Sequence, residues 1–108
     1  MNYSAILLCA GSGKRTGLSY NKMFYQIEDK TVYQKMISMF INDQRCTQII
    51  VVCKDEERES FRSLNNDQRI IFVSGGKERQ NSVFNGLQET VNDYVLIHDG
   101  ERCFLKKK

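Results

Sequence analysis

Two cations follow a glycine-rich turn at the end of an apolar run near the N-terminus. Residues 5–15 read Ala-Ile-Leu-Leu-Cys-Ala-Gly-Ser-Gly-Lys-Arg. The apolar part is typical of a strand buried on both faces, and Gly11 and Gly13 let the backbone turn sharply after it. Backbone N–H groups in such a turn can approach a polyphosphate, where Lys14 and Arg15 add positive charge. The stretch therefore indicates a phosphate-binding loop, with an ordinary strand-to-loop turn as the equal alternative.

The loop matches neither of the two common phosphate-binding fingerprints. Its two glycines lack the third glycine of the dinucleotide motif, and the spacing of a P-loop lysine followed by serine or threonine is absent from the sequence. The second apolar run ends in Cys53-Lys54, with Asp55 as the nearest acidic residue. A nicotinamide-binding module would need an acidic residue at that strand end, so it is disfavoured.

The length, the net charge and the distribution of apolar residues limit which class of protein this chain can belong to. The chain has 108 residues, of which 41% are hydrophobic, and this fits one small globular domain. Its net charge of +3 is matched by the three lysines at 106–108, so the rest of the chain is balanced. We therefore expect no nucleic-acid partner and no membrane surface. The sequence shows neither a signal peptide nor an apolar run of membrane-spanning length.

The cysteines indicate a reducing environment. Cys9, Cys46, Cys53 and Cys103 are widely scattered and include no Cys-x-x-Cys pair, and the chain has one histidine, which disfavours a zinc site. Cys9 and Cys53 end apolar runs, where a thiol behaves as a small apolar side chain. We expect a cytoplasmic protein with reduced thiols.

Apolar runs predict four strands, at 6–8, 49–52, 70–73 and 93–97. Segments of helix length separate these runs, which predicts βαβ units and a parallel sheet with helices on its faces. In such sheets ligands bind beyond the carboxyl ends of the strands.

Helix signals lie between the predicted strands. Thr31 and Gln34 have the spacing of a capping box before an amphipathic run that reaches residue 41. Asp55 is expected to cap a second, largely exposed helix. Residues 78–91 carry apolar side chains at helical spacing, and residues 23–27 are predicted as a short extended segment.

Four motifs follow one another along the chain: Ala10-Gly11-Ser12-Gly13-Lys14-Arg15, Asn21-Lys22-Met23, Gly75-Gly76-Lys77-Glu78-Arg79-Gln80-Asn81-Ser82-Val83 and Ile97-His98-Asp99-Gly100-x-Arg102. In this order they resemble the signatures of the 2-C-methyl-D-erythritol 4-phosphate cytidylyltransferase family over nearly the whole chain. The resemblance implies a Rossmann-like, three-layer α/β/α nucleotidyltransferase fold similar to glycosyltransferase A, with a mostly parallel sheet.

The same resemblance implies an activity. Family members transfer CMP from CTP to 2-C-methyl-D-erythritol 4-phosphate and release pyrophosphate, in the non-mevalonate route to isoprenoid precursors. The implied partners are CTP and a sugar-alcohol phosphate, with Mg²⁺ or another divalent cation as cofactor. For a full-length member the resemblance also implies a homodimer.

Motif matching implies a role for individual residues. Arg15 and Lys22 are expected to be catalytic, since they would stabilise the charge on the transferred phosphate and the leaving pyrophosphate. Asp99 is expected to hold the metal ion, and Arg79 and Arg102 to position the substrate. The expected nucleotide-binding residues are Ala10, Gly11, Ser12, Gly13, Gly75, Gly76 and Ser82.

Each of these residues also has an ordinary structural explanation. Lys22 lies in a polar segment, where most lysines are simply solvated. Asp99-Gly100 is a common turn pair. His98 is expected to pack or form a hydrogen bond at the strand end rather than to act as an acid or base. The order of the four motifs favours the functional interpretation.

The chain departs from the family pattern at three positions and in its length. Asn21 and Cys103 stand where the family usually has proline. Glu101 replaces a small residue close to Asp99, which puts metal affinity and substrate fit in question. Family members continue well beyond residue 108, so we expect residues 1–108 to be the nucleotide-binding half of the domain, with 105–108 as the basic end of a fragment. The family's later metal-binding aspartate and second active-site lysine would then lie outside this chain.

A truncated chain has consequences for the sheet and for activity. The expected strand order is 3-2-1-4, which leaves the fourth strand as an edge bearing apolar Val95 and Ile97. We expect the chain by itself to be marginally stable and weakly active or inactive. Two alternatives remain open: a ribitol-5-phosphate cytidylyltransferase, which shares these motifs, and a truncated, non-catalytic nucleotide-binding remnant.

Overall fold

The computed structural model describes residues 1–11, 17 and 19–99. In that part, the strands and α-helices follow one another as β1 Tyr3–Leu8, β2 Gln26–Ile27, β3 Lys30–Thr31, α1 Val32–Ile41, β4 Cys46–Cys53, α2 Arg58–Arg62, β5 Ile70–Ser74, α3 Arg79–Leu87 and β6 Val95–Asp99. Short 3-10 turns cover Lys22–Phe24 and Asp55–Glu57. No helix in the described ranges is both long and apolar enough to cross a bilayer.

Four parallel strands form the central sheet in the order β5-β4-β1-β6. This order and direction confirm the predicted arrangement, in which the first strand lies between the second and the fourth. Leu8 pairs with Val52 of β4 and with Asp99 of β6, so the carboxyl ends of these strands lie at the same edge. Strands β2 and β3 form a separate antiparallel hairpin.

Different helices cover the two faces of the sheet. On one face, Leu7 of β1 and Val51 of β4 are buried in one cluster with residues of α1 and with Phe61 of α2. On the other face, α3 packs so closely that a Cβ at Gly86 would lie 3.0 Å from Cγ2 of Ile6. The three-layer α/β/α arrangement implied by the family resemblance is therefore present.

Helix α1 begins at the predicted capping box. The Thr31 hydroxyl accepts a hydrogen bond from the Gln34 N–H at 3.0 Å, and Gln34 Oε1 accepts one from the Thr31 N–H at 2.9 Å. Gln34 Nε2 also donates to the carbonyl of Leu64 at 3.2 Å, which links α1 to the segment after α2. The buried face of α1 comprises Val32, Tyr33, Met36, Ile37 and Phe40.

Two predictions of local structure were wrong. Residues 23–27 are extended only at Gln26–Ile27, because the segment starts as a 3-10 turn that buries Met23 in the core. Asp55 does not cap an α-helix. It begins a 3-10 turn, and its carboxylate accepts hydrogen bonds from the Ser74 hydroxyl and from Arg58 instead.

Helix α3 and strand β6 also differ from their predicted ranges. The predicted helix over 78–91 ends at Leu87, and the Gln48 side chain of β4 bonds the backbone that follows it. Gln48 Nε2 donates to the Glu89 carbonyl at 2.7 Å, and its Oε1 accepts from the Val91 N–H at 3.1 Å. Strand β6 extends through Asp99 rather than ending at Ile97.

Strand β6 lies at an edge of the sheet, as predicted. Ile97 on this edge is 41% exposed, and in the predicted helix over 78–91 Phe84 is 60% and Val91 78% exposed. From the predicted apolar face of α3, Val83 packs against the core while Leu87 remains exposed. The described residues therefore bury only part of the apolar surface of α3 and β6.

Arg69 joins the start of β5 to α1 and β4. Its guanidinium donates to the carbonyl of Ile41 at 2.7 Å, to that of Cys46 at 2.9 Å and to the Asp67 carboxylate at 2.8 Å. Hydrogen bonds from the Arg69 side chain and backbone lower the pKa of Asp67 to about 2. The ionised carboxylate is therefore favoured in the folded state.

We expect Asp67 to make the free energy of unfolding sensitive to acid. Because its pKa is lower in the folded than in the unfolded chain, ionised Asp67 stabilises the fold above about pH 4, and this contribution is lost as the pH falls toward about 2. The Asp67→Asn variant should be less stable than the wild type near pH 7 but lose less stability on acidification. Urea unfolding at about pH 7 and about pH 3 measures both effects. An identical acid dependence in the two proteins would contradict this role.

Candidate functional site

Three segments meet beyond the carboxyl edge of the sheet: the residues after β1, the loop after β5 and the first turns of α3. The Gly75 N–H donates to the Cys53 carbonyl at 2.9 Å, which carries the loop across the end of β4. A Cβ on Gly75 would lie 2.9 Å from the Cβ of Ala10 and 3.3 Å from Ser82 Oγ. Glycine therefore permits an approach that a side chain would prevent. The structure thus brings together Ala10, Gly75 and Ser82, three of the predicted nucleotide-binding residues.

Gly76 lies against the start of α3. Its N–H donates to Ser82 Oγ at 3.0 Å, and a Cβ here would lie only 2.2 Å from the Cβ of Asn81. Asn81 Oδ1 in turn accepts the Glu78 N–H at 3.0 Å at the helix N-terminus. Ser82 is 6% exposed, so this hydrogen bond to its hydroxyl holds the loop at a buried position. A hydroxyl that accepts one hydrogen bond still has its own hydrogen to donate.

Asp99 ends β6 beside the end of β1 and contacts the start of α3. Its Oδ2 lies 3.5 Å from Nε of Arg79, whose side chain is largely exposed. Asp99 pairs in the sheet with Leu8, two residues before Ala10. The predicted metal ligand and a predicted positioning arginine are therefore direct neighbours.

The donor chemistry of Asp99 suits a hard divalent cation, which prefers carboxylate, phosphate and water oxygens. Within residues 1–11, 17 and 19–99, no group of three or more His, Cys, Asp or Glu side chains could hold a metal ion on its own. A cation at Asp99 would therefore need further oxygen ligands, and a bound polyphosphate and water can supply some of them. The residues present fit Mg²⁺ in that mode.

Lys22 begins a 3-10 turn that Asn21 fixes to the sheet. Asn21 is 4% exposed, and its Oδ1 accepts the Met23 N–H at 3.0 Å. Its Nδ2 donates to the Cys9 carbonyl at 2.8 Å and to Glu57 Oε1 at 2.9 Å. In the sequence, Asn21 stands out only as the first residue of the Asn21-Lys22-Met23 motif, which assigns it no role of its own. Asparagine often forms a local bond of the kind it makes to Met23, so that contact could be expected from the sequence. Nothing in the sequence indicates the contact with Glu57.

His98 and the cysteines have packing roles. The rings of His98 and Phe40 pack nearly perpendicular to each other with centroids 5.7 Å apart, as expected for a histidine that packs at a strand end. Cys9, Cys46 and Cys53 are buried. Burial raises the pKa of the Cys53 thiol to about 11, which makes it a poor nucleophile near neutral pH.

Several predicted site residues lie outside the described residues: Ser12, Gly13, Lys14, Arg15, Gly100, Glu101, Arg102 and Cys103. Gly11 is described and is partly buried directly after Ala10. The expected roles of Arg15 in catalysis and of Arg102 in substrate positioning therefore stay predictions.

Sequence comparison identifies relatives over nearly the whole chain. The family model for 2-C-methyl-D-erythritol 4-phosphate cytidylyltransferase matches residues 3–108. A relative of that name from Geobacillus kaustophilus is 42% identical, with 98% of this chain and 49% of the relative covered. Another, from Halalkalibacterium halodurans, is 38% identical, with 100% of this chain and 50% of the relative covered. The chain thus spans about half the length of the curated relatives it matches.

Structural comparison agrees with the sequence matches. The crystal structure of 4-diphosphocytidyl-2C-methyl-D-erythritol synthase from Anaerococcus prevotii superposes with a TM-score of 0.77 and 27% identity, covering 95% of this chain and 44% of that one. The crystal structure of 2-C-methyl-D-erythritol 4-phosphate cytidylyltransferase from Francisella tularensis superposes with a TM-score of 0.71 and 26% identity, covering 95% of this chain and 46% of that one. The chain belongs to the 2-C-methyl-D-erythritol 4-phosphate cytidylyltransferase family.

Proposed function

We propose that residues 1–108 form the nucleotide-binding half of a cytidylyltransferase domain. The domain would transfer CMP from CTP to 2-C-methyl-D-erythritol 4-phosphate and release pyrophosphate. The observation that carries the proposal is the close approach of Gly75 to Ala10 and Ser82 at the carboxyl edge of the sheet. Parallel α/β sheets bind their ligands at that edge. We propose CTP as the nucleotide because the chain belongs to this cytidylyltransferase family.

The loop after β5 is suited to recognise a flat base and its ribose. Because Gly75 and Gly76 carry no side chains, a base can approach the backbone N–H and C=O groups closely. Cytosine presents hydrogen-bond donors and acceptors along one edge, which a backbone segment can match. Ser82 would act in two ways, since it accepts the Gly76 N–H at 3.0 Å and can donate its own hydrogen to the sugar.

The triphosphate would lie over the end of β1, between the loop that starts at Ala10 and the turn that starts at Lys22. An oxygen of the substrate phosphate attacks the α-phosphorus, a new P–O bond forms, and the bond to the pyrophosphate oxygen breaks. Arg15 and Lys22 would neutralise the charge that accumulates in this crowded anionic transition state. Mg²⁺ held by Asp99 and the phosphates would supply further charge neutralisation.

Arg79 has a positioning role in this proposal. Its Nε lies 3.5 Å from Asp99 Oδ2, so it can orient the carboxylate before a cation and a triphosphate bind. Its largely exposed side chain also leaves it able to reach an incoming phosphate group.

The chain's share of its relatives' length limits what residues 1–108 can do alone. We propose that further residues of a complete domain contact the alcohol phosphate and supply the later metal-binding aspartate and second lysine, and that a complete protein forms a homodimer. The purified chain should bind Mg–CTP but release little or no pyrophosphate. A nucleotide-binding chain without turnover is the second candidate function, favoured by the same half-length match.

Ser82→Ala tests the proposed nucleotide site. Loss of the hydroxyl leaves the Gly76 N–H without its acceptor and removes a donor to the sugar. We expect CTP binding to weaken about 5- to 30-fold, equivalent to about 1–2 kcal/mol. Isothermal titration of the chain with Mg–CTP measures this change.

Ser63→Ala is the matched control for that titration. The Ser63 hydroxyl donates to the Ser60 carbonyl at 2.8 Å on the exposed surface after α2, away from the candidate site. This variant should bind Mg–CTP as the wild type does. Unchanged CTP affinity in Ser82→Ala would contradict the site, and readily measured turnover by the purified chain would contradict its proposed inactivity.

A further inference from the structure

The side-chain amide of Asn21 has its two hydrogens and its oxygen engaged at a buried position. The two hydrogens of Nδ2 go to the Cys9 carbonyl at 2.8 Å and to Glu57 Oε1 at 2.9 Å. The oxygen accepts the Met23 N–H at 3.0 Å. A buried amide with these contacts holds one orientation, because rotation would break hydrogen bonds that water cannot replace there.

The turn around Lys22 is fixed from both sides. The Phe24 N–H donates to the Asn21 carbonyl, and the Tyr25 N–H to the Lys22 carbonyl, each at 3.0 Å. Met23 is buried in the core, and the Phe24 ring stacks on Phe61 with centroids 4.5 Å apart. The backbone of Lys22 therefore has little freedom to move.

The contact with Cys9 ties this turn to the start of the proposed phosphate loop. Cys9 directly follows β1 and precedes Ala10 and Gly11, and its N–H donates to the Val52 carbonyl at 2.8 Å. A bond from Asn21 to the Cys9 carbonyl thus fixes the distance between the Lys22 backbone and the loop. Glu57 adds a charge-assisted hydrogen bond from the segment after β4.

We propose that Asn21 is a positioning residue of the nucleotide site, which holds Lys22 at the end of β1 through its bonds to Cys9 and Glu57. This inference rests on the proposed function, since it requires Lys22 to contact the phosphates of CTP. A lysine carries its charge on a flexible stem, so fixing its backbone reduces the space that the ammonium group samples. Because less conformational freedom is then lost on binding, the Lys22 ammonium group should bind the phosphates of CTP more tightly.

A double-mutant cycle measures this coupling. Mg–CTP and CMP are titrated into the wild-type chain, Asn21→Ala, Lys22→Ala and the double variant. We expect Asn21→Ala to weaken CTP binding about tenfold when Lys22 is present, and less than about twofold when Lys22 is alanine. Binding of CMP, which lacks the β- and γ-phosphates, should change less than about twofold in Asn21→Ala.

Two controls separate positioning from general loss of stability. Gln34→Ala removes the capping box of α1 and should lower the melting temperature while CTP affinity stays unchanged. Glu57→Gln keeps an acceptor oxygen for Asn21 but loses the charge, so it should weaken CTP binding less than Glu57→Ala does. If Asn21→Ala shows no cooperative melt, Glu57→Ala replaces it in the cycle, because it removes only the bond to Glu57.

The outcomes distinguish this inference from the function on which it rests. A wild-type chain that folds but binds no CTP would overturn the proposed function, and this inference with it. A wild type that binds CTP, together with equal losses from Asn21→Ala with and without Lys22, would overturn the positioning role alone. A loss of CTP affinity that disappears in the Lys22→Ala background would support it.

Discussion

Gly76→Ala is expected to weaken Mg–CTP binding by at least about tenfold and to destabilise the chain by about 1–3 kcal/mol. The new methyl carbon would lie 2.2 Å from the Cβ of Asn81, where carbon atoms normally keep about 3.5–4.0 Å apart. Either the loop or the start of α3 must therefore move. Both movements break the bond from the Gly76 N–H to Ser82 Oγ, on which the shape of the proposed base site depends.

Thermal unfolding and CTP titration of Gly76→Ala measure the two effects separately. Gly86→Ala is the matched control, because it makes the same substitution in the adjoining helix. Its methyl group would press on the Cγ2 methyl groups of buried Ile6 and Val52 at 3.0 and 3.2 Å, so this variant should also lose stability, but without a contact to the loop. Gly86→Ala should leave CTP affinity unchanged. Equal CTP affinities in the Gly76→Ala and wild-type chains would contradict the proposed loop geometry.

Phe61→Ala is expected to cost about 3–5 kcal/mol of folding stability. The ring is fully buried between two other aromatic rings, Phe24 at 4.5 Å and Tyr33 at 4.7 Å between centroids. It joins α2, α1 and the Lys22–Phe24 turn, so its removal opens a cavity where these three elements meet. A domain of this size has a total stability of only about 5–15 kcal/mol.

Urea unfolding of Phe61→Ala measures that cost, with Phe84→Ala as its control. Phe84 is the same residue type on α3 but is 60% exposed, so its truncation should change stability by less than about 0.5 kcal/mol. If the two alanine variants unfold at the same urea concentration, Phe61 does not anchor the core as described.

The sequence predicted the sheet and the first helix well because their signals are local and strong. The apolar run before Cys9 and the run before Cys53 become neighbouring parallel strands in the expected order. Thr31 and Gln34 form their capping box because both partners lie within one turn of the chain. The prediction that His98 packs at a strand end depended equally on its position in a short apolar run.

Contacts between distant residues explain the predictions that were wrong. Asp55 is a residue type that often caps helices, but its carboxylate accepts a hydrogen bond from Ser74, nineteen positions later, and it begins a 3-10 turn. Just beyond the end of α3, Gln48 of another strand bonds the backbone of Glu89 and Val91. Propensity within a segment cannot reveal such partners, since they meet only when the sheet forms.

In the candidate site, too, the residues of a local motif could be predicted from the sequence, whereas a contact between distant residues could not. Gly75, Gly76 and Ser82 could be selected from their motif, and the structure brings them together with Ala10. The bond between Asn21 and Glu57 had no counterpart in the sequence, because the two residues lie 36 positions apart.

Thermal unfolding of the chain with Mg²⁺ and one nucleotide at a time tests most directly whether residues 1–108 form a cytidine nucleotide site. A ligand at a hundred times its dissociation constant adds about 2.7 kcal/mol, which should raise the melting temperature by about 10 °C or more. We predict this shift with CTP and not with UTP, ATP or NAD. A cooperative melt that CTP leaves unchanged, or that NAD raises more than CTP does, would contradict the proposed site.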